Sequence, residues 1–296
     1  MISRRALFGA FAAPALCGQD RNSNMFADAE AYERFMGRWS RLVAPLLVDF
    51  TDVPNGGQVL DVGAGVGSLA FVIAQRKSKA RVIGIDPSKE YVAYANSRNT
   101  FPARTSFQIG DAQELHFADA TFRSSLSLLV FNFIPDPRKA LREVRRVTQS
   151  GGRISAAVWD YGGQMRMLRA FWDAAVSIDA SAERLDEKHM PLCREGELSQ
   201  LWKQGGLESV HEQPLEITMR FHSFMDYWDP FLLGQGPAGS YVRTAQGDRL
   251  QALREAVKRR LSISDESAAL TLPARVWAVR GTVPIHRSSE TSARTA

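Results

Sequence analysis

Residues 59–67 read VLDVGAGVG, a run of apolar residues that leads into three glycines at every second position. The apolar run predicts a short buried strand, and the glycines predict a tight turn that opens a helix. Such a turn lets a ligand approach the backbone closely and directs N–H groups of the helix start toward it. A dinucleotide-binding turn would require glycine at position 68, where the chain has Ser68. This spacing, with Asp61 ahead of the glycines, favours a different cofactor class.

Strand-like and helix-like segments alternate on both sides of this turn. The predicted strands are 58–62, 80–85, 106–109, 126–131 and 153–159, separated by amphipathic helices such as 88–99 and one that begins at Ala140 and ends at Gly151-Gly152. Two later strand-like segments, 208–221 and 274–280, complete the far edge of the sheet. The sequence therefore predicts an α/β fold with a doubly wound, mostly parallel seven-stranded sheet.

The flanking segments define the expected domain organisation. Residues 25–57 are expected to form N-terminal lid helices, interrupted near Pro45, ahead of a cofactor-binding core at 58–159. Residues 160–283 are expected to complete the sheet and to cover the site, with insertions at 160–194 and 222–245. The polar residues 284–296 are expected to form a disordered tail.

Residues 1–24 form a leader or signal-like segment. The sequence SRRALF at 3–8, followed by a short apolar stretch, resembles a twin-arginine export signal. No small-x-small cleavage site follows it, and the alternative is an upstream start codon with Met25 opening the protein. In either case, we expect this segment to be disordered and to contribute nothing to the sheet.

Composition narrows the possible functions. Among 296 residues no 18 apolar residues run together, so no conventional membrane-spanning helix is predicted. Two cysteines, Cys17 and Cys193, cannot form a four-cysteine zinc site, and no His/Cys cluster has metal-ligand spacing. The net charge of +5 is spread along the chain. We therefore expect no metal, no nucleic-acid partner and no stable membrane insertion, with a small molecule as the partner.

Acidic residues follow the second and third predicted strands. Asp86 ends the second strand, where a carboxylate can accept hydrogen bonds from both hydroxyls of a ribose. Asp111 ends the third strand, where an acid can accept from the amino group of an adenine. Each acid alone could instead cap a helix. Together with the glycine turn, they point to an adenosine-containing cofactor at the carboxyl edge of the sheet.

These motifs resemble those of class I S-adenosylmethionine-dependent methyltransferases, of the type 11 or ubiquinone/menaquinone C-methyltransferase-like kind. Residues 59–67 are similar to the first motif of that family, GIDPS at 84–88 to its ribose-binding strand end, and GDAQEL at 110–115 to its adenine-side loop. The helix from Ala140 with its following glycines and YERFMGRW at 32–39 resemble the family's later helix and its lid helix.

The resemblance implies S-adenosyl-L-methionine as the cofactor and a cytoplasmic enzyme, because that cofactor is made and kept inside the cell. It also implies a set of cofactor-binding residues, in which Arg38 and Tyr32 would reach the methionine carboxylate from the lid. The full set is Tyr32, Arg38, Asp61, Gly63, Ala64, Gly65, Gly67, Asp86, Pro87, Asp111 and Ala112.

The implied reaction is methyl transfer to oxygen or carbon of a small, hydrophobic or aromatic acceptor. The sequence VFNF at 130–133 is not the Asn-Pro-Pro-Tyr type of motif that binds an amine, which disfavours methylation of adenine or glutamine nitrogen. The aromatic residues that could line the pocket, or could equally be core, are Trp159, Tyr161, Phe171, Trp172, Tyr227, Trp228, Phe231 and Tyr241.

The sequence assigns no catalytic residue. His189 and His222 are candidate bases because they lie in the insertions that should cover the site, although a lone histidine is more often packing or surface. Two other functions stay open: an NAD-dependent oxidoreductase on a related sheet, and a catalytically silent protein that binds S-adenosylmethionine.

Overall fold

Within residues 28–285, which the computed structural model describes, seven strands form a sheet of order β3-β2-β1-β4-β5-β7-β6. The strands are β1 (Gly57–Val62), β2 (Ala80–Asp86), β3 (Thr105–Ile109), β4 (Phe122–Leu128), β5 (Thr148–Trp159), β6 (Glu208–Phe221) and β7 (Leu270–Thr282). The first five strands are parallel, and β7 runs antiparallel to both β5 and β6. The predicted α/β class and mostly parallel seven-stranded sheet are confirmed.

Helices cover the sheet and extend beyond its carboxyl edge. They are α1 (Ala29–Tyr32), α2 (Arg38–Thr51), α3 (Ser68–Arg76), α4 (Lys89–Ser97), α5 (Pro137–Val147), α6 (Arg166–Ile178), α7 (Glu197–Gln204), α8 (Phe224–Leu232), α9 (Gly236–Thr244) and α10 (Asp248–Arg260). Short 3₁₀ turns occupy Phe131–Phe133, Ala180–Leu185 and Glu187–His189. The predicted leader at 1–24 and most of the predicted tail lie outside the described residues.

Strand β1 lies at the centre of the sheet, which explains its continuous apolar run. It pairs with β2 on one side and β4 on the other, and Val59, Leu60 and Val62 are buried. Strands β2 and β3 extend from one side of β1, whereas β4 and β5 extend from the other. The chain direction across the sheet therefore reverses at β1 and β4, where open α/β sheets bind their ligands.

The fourth strand is shifted from its predicted position. We expected 126–131, but β4 is Phe122–Leu128, and the chain then turns through Leu129, with φ +65°, into a 3₁₀ turn. The strand contains three serines, whose polarity hides it from an apolar-pattern prediction, yet all three are buried. Ser125 Oγ lies 2.7 Å from Thr148 Oγ1, and Ser127 Oγ donates to Val62 O at 2.9 Å. These hydrogen bonds satisfy the hydroxyls inside the core.

Two predicted helix boundaries were also wrong. Helix α2 continues through Pro45, and the helical irregularity lies earlier, in a π turn at Glu33–Gly37. The buried stripe of Val43, Leu47 and Val48 packs into the core, so packing outweighs the hydrogen bond that Pro45 removes. Helix α5 ends at Val147, before the predicted glycines, and Gly151 adopts φ +74° inside β5.

We predict that Gly84→Ala destabilises the sheet. A Cβ at this buried position of β2 would lie 2.6 Å from Phe107 Cδ1 and 2.8 Å from Ala64 Cβ. Overpacking of this kind lowers the free energy of unfolding by about 1–3 kcal/mol, measurable by urea denaturation. Gly162→Ala is the matched control because its Cβ would come no closer than 3.8 Å to Lys188 Cβ. Equal stability of the two variants would contradict the packing described here.

Candidate cofactor and acceptor site

A cavity of about 520 Å³ opens at the carboxyl ends of the central strands. This volume lies within the range of small-molecule sites. One wall consists of the turn after β1, the end of β2 and the loop after β3. The rest of the lining comes from the N-terminal helices, the segment after β4, the end of β5 and the segments that follow it.

The glycine turn follows β1 in left-handed backbone conformations that favour glycine. Gly63, Gly65 and Gly67 have φ of +72°, +53° and +90°. A side chain at Gly63 would also collide with Val130, 2.5 Å from its Cγ1. At Gly65 the added Cβ would meet only Tyr91 Cδ2, at 4.0 Å, so the space there belongs to the cavity.

Asp61 is a fully buried carboxylate at the cavity wall. Its Oδ2 accepts a hydrogen bond from Ala70 N at 3.0 Å, whereas its Oδ1 has no partner among residues 28–285. Burial raises the pKa of Asp61 to about 7, and the nearby charge of Asp86 adds to the rise. A buried, unpaired carboxylate oxygen is costly unless a ligand donates to it. The site therefore suits a ligand with a cationic or N–H donor at this point.

Asp86 ties the end of β2 to the glycine turn. Its Oδ2 accepts from Gly65 N and its Oδ1 from Ser88 N, both at 2.9 Å. Burial raises the pKa of Asp86 to about 6, although both amide hydrogen bonds oppose the rise. Each carboxylate oxygen keeps acceptor capacity, so this side chain can receive a pair of ligand hydroxyls.

The loop after β3 supplies the third predicted acid. Asp111, Ala112 and Pro87 all line the cavity. The Asp111 carboxylate accepts from Gln113 N at 2.8 Å, two residues ahead in an irregular loop. The helix-cap alternative for Asp111 is therefore wrong, because no helix begins at the residues that follow it in the structure.

The structure separates the two predicted lid residues. Tyr32 lines the cavity, with its ring 5.5 Å from that of Tyr91, and burial raises its pKa. Arg38 does not line it, which corrects the prediction for this residue. Its Nη1 donates to Asp226 Oδ1 at 2.6 Å, and its guanidinium lies over the Trp39 ring. Arg38 thus joins the lid to α8.

Neither candidate histidine lies at the cavity, so both predictions are corrected. His189 Nε2 lies 3.1 Å from Glu183 Oε1 on the surface, with half of its side chain exposed. His222 is exposed, and its backbone N–H donates to Asp226 Oδ2 at 2.9 Å. Both belong to segments that the sequence places near the site, but their side chains are not among the lining groups.

The aromatic candidates divide between cavity and core. Trp159 and Tyr161, at and just beyond the end of β5, line the cavity. The others are packed in the core, as shown by the rings of Phe171 and Phe231, stacked at 4.6 Å. Residues that sequence reasoning missed also line the apolar wall, namely Phe35, Met36, Phe133, Ile134 and Pro237. Their apolar spacing reads as ordinary core, and no sequence signal marks them as ligand contacts.

Glu187 was missed as well. It is only 4% exposed, lines the cavity, and accepts a hydrogen bond from Trp172 Nε1 to Oε2 at 2.7 Å. Burial raises the pKa of Glu187 to about 7. The sequence DEK at 186–188 is typical of a solvated loop, so the burial of its middle residue follows from tertiary packing alone.

Comparisons with known proteins agree with this architecture. Residues 60–156 match a family model described as a methyltransferase domain. A methyltransferase of Streptomyces halstedii, GfsG, is 36% identical over 114 residues, which cover 38% of this chain and 41% of that protein. The ubiquinone/menaquinone biosynthesis C-methyltransferase UbiE of Geotalea uraniireducens is 32% identical over 103 residues, 33% of this chain and 44% of that one.

The solved structure of the YcgJ protein from Bacillus subtilis resembles the fold, with a TM-score of 0.54. It is 19% identical, and the alignment covers 82% of this chain and 98% of that one. The chain therefore contains, at residues 60–156, a class I S-adenosylmethionine-dependent methyltransferase domain. Its matched segment is similar to that of UbiE and GfsG, and the chain spans less than half of the length of each.

Across residues 28–285, no three His, Cys, Asp or Glu side chains are grouped so as to hold a metal ion. No helix in the same range is long and apolar enough to cross a membrane.

We predict that Asp86→Asn weakens binding of S-adenosylmethionine by about 1–3 kcal/mol, because ribose hydroxyls lose a charged acceptor. Affinity of the unaltered protein should fall as the pH drops from 8 to 5, since protonation removes the charge of Asp86 and Asp61, whose pKa values are raised to about 6 and 7. Calorimetric titration across this range should show a shallower pH dependence for Asp86→Asn. An unchanged affinity in that variant would contradict the assignment.

We also predict that Gly65→Val abolishes cofactor binding but leaves the protein folded. The branched side chain would occupy the cavity from a backbone with φ +53°. Gly247→Val is the control, because Gly247 has φ +55° and open space around it, yet does not line the cavity. Both variants should lose about 1–3 kcal/mol of stability through backbone strain, with cofactor affinity lost only in the first. Equal cofactor affinities would refute the assignment.

Proposed function

We propose that this protein transfers the methyl group of S-adenosylmethionine to an oxygen or carbon atom of a small hydrophobic or aromatic acceptor. The observation that carries this proposal is the continuity of the cavity. One cavity is lined both by the acids Asp61, Asp86 and Asp111 and by aromatic residues that include Trp159 and Tyr161. A cofactor and an apolar acceptor can therefore share one enclosed space.

The acidic residues would hold the cofactor along the carboxyl edge of the sheet. The unpaired Asp61 Oδ1 suits the amino group of the methionine part, and Asp86 suits the ribose hydroxyls. Asp111, at the end of β3, suits the adenine amino group. When bound, S-adenosylmethionine supplies an electrophilic methyl group. The protein then needs to hold the acceptor atom in line with that group and to exclude water, which the aromatic wall does.

The two alternative functions have less support. The left-handed turn is followed by Ser68 where a dinucleotide-binding turn has glycine, which counts against a nicotinamide cofactor. A silent cofactor-binding protein would not need an apolar chamber beside the cofactor wall. We propose a small-molecule partner and no nucleic acid, and a cytoplasmic location because the cofactor is made inside the cell.

The test is a screen with methyl-labelled S-adenosylmethionine against quinones, phenols and fatty acids. We expect label in a phenol or quinone, with Tyr161→Leu raising the KM for that acceptor about 5- to 30-fold, equivalent to about 1–2 kcal/mol of lost aromatic contact. Cofactor affinity should stay unchanged in this variant. Tyr94→Leu is the control, because Tyr94 lies on α4 and is not among the lining residues.

Two results of this screen would contradict the proposal. Tight cofactor binding without transfer to any acceptor would favour the silent cofactor-binding protein. Binding and reduction of a nicotinamide cofactor would favour the oxidoreductase.

A further inference from the structure

The apolar wall of the cavity contains a carboxylate that the binding of the cofactor does not use. Glu187 lies in the short 3₁₀ turn Glu187–His189, lines the cavity together with Trp159 and Tyr161, and is close enough to Tyr161 for its charge to raise the pKa of that residue. The acids of the cofactor wall, Asp61, Asp86 and Asp111, come instead from the carboxyl ends of β1 to β3. Glu187 thus lies outside the set of strand-end acids proposed to hold the cofactor, which leaves it available to an acceptor.

Hydrogen bonds hold one oxygen of Glu187 and leave the other available. Trp172 Nε1 donates to Oε2 at 2.7 Å, whereas Oε1 accepts no hydrogen bond from residues 28–285. The neighbouring cation, Arg169, is paired with Asp186 and not with Glu187. Arg169 donates to both carboxylate oxygens of Asp186, at 2.6 and 2.8 Å, and Asp186 is itself fully buried.

None of the ionisable groups named here around Glu187 has a pKa as well suited to a general base as that of Glu187. Tyr161 and Cys193 are near enough to affect its electrostatics, and burial raises the pKa of both of them. Asp186 is bound to Arg169, which holds its pKa below the usual range. Burial raises the pKa of Glu187 itself to about 7. The hydrogen bond from Trp172 and the charge of Arg169 oppose this rise, whereas the charge of Asp186 adds to it. General bases work best when their pKa lies near the operating pH.

We propose that Glu187 is the general base of the reaction and that the acceptor carries an acidic hydroxyl group, as in a phenol or an enol. This inference rests on the proposed methyltransferase function. Glu187 Oε1 takes the proton of the hydroxyl as the acceptor oxygen bonds to the methyl carbon. The methyl–sulfur bond breaks and leaves its electron pair on sulfur. The products are a methyl ether, S-adenosylhomocysteine and protonated Glu187, which then releases its proton to solvent.

A hydroxyl is a better methyl acceptor beside Glu187 than an ammonium group, because an ammonium paired with this carboxylate has no free electron pair to bond to the methyl carbon. Glu187 shares the cavity lining with Trp159 and Tyr161, and Arg169 is engaged by Asp186. A neutral phenol brings no charge into this environment and can donate its single proton to the available oxygen. A flat aromatic body would also pack against the rings that line the cavity.

The test compares Glu187→Gln with the unaltered protein at saturating S-adenosylmethionine, on the phenol that the screen identifies. The amide oxygen of glutamine can still accept from Trp172, so folding and cofactor affinity should be preserved. We expect kcat to fall about 100-fold or more, with loss of the decline in kcat/KM below about pH 7. Glu183→Gln is the control, because Glu183 is half-buried, pairs with Lys188 and is not among the residues that line the cavity.

Trp172→Phe supplies a readout that a structural role would not change. Loss of the indole donor raises the pKa of Glu187 further, so the acidic limb of the rate profile should move to higher pH. In addition, calorimetric binding of the phenol to the complex with S-adenosylhomocysteine should be stronger at pH 8 than at pH 6. That difference should vanish in Glu187→Gln.

The results separate this inference from the function on which it rests. Transfer by the unaltered protein, with Glu187→Gln retaining its rate and its acidic limb, would overturn the role of Glu187 but leave the methyltransferase function standing. Transfer to an amine or a carbon atom instead of a hydroxyl would overturn the acceptor class. Failure of the unaltered protein to methylate any acceptor would overturn the proposed function itself.

Discussion

Three hydrogen bonds between the glycine turn and the end of β2 fix the geometry of the whole site. Gly63 N and Ala64 N both donate to Ile85 O, at 2.9 and 2.8 Å, and Gly65 N donates to Asp86 at 2.9 Å. The turn is therefore tied to the strand that carries Asp86. Val130, after β4, packs against the bare Cα of Gly63, which sets the opposite side of the crevice. Only glycine allows this approach.

The buried carboxylates at the cavity weaken the fold on which they lie. Burial raises the pKa of Asp61, Asp86 and Glu187 to between about 6 and 7. Carboxylates in an unfolded chain have pKa values near 4. Between pH 4 and pH 6 to 7, the folded state therefore binds protons at these groups that the unfolded chain has already released. The stability these groups contribute is complete below about pH 4 and is lost as the pH rises through 6 to 7. At neutral pH the burial of these carboxylates therefore costs the fold stability.

Segments far apart in sequence close the cavity opposite the sheet. The lid contributes Tyr32, and the segment between β5 and β6 contributes Glu187. The Arg38–Asp226 ion pair and the contact of Phe35 with Phe231, at 5.2 Å between ring centroids, join the lid to α8. The position of the lid at the cavity therefore depends on its contacts with α8.

The sequence by itself determined the polar part of the candidate site, which consists of the glycine turn and the acids at the strand ends. Residues 59–67, Asp86 and Asp111 are local motifs whose position follows from strand order, because carboxyl ends of parallel strands meet at one edge. The tertiary structure alone decided which residues of the covering segments line the cavity. Arg38 pairs with Asp226, which is 188 residues away in the sequence. His189 lies at the surface, whereas Glu187, two residues earlier, is buried and accepts a hydrogen bond from Trp172. Which side chains of a covering segment face a cavity depends on long-range packing, and no local sequence pattern encodes that choice.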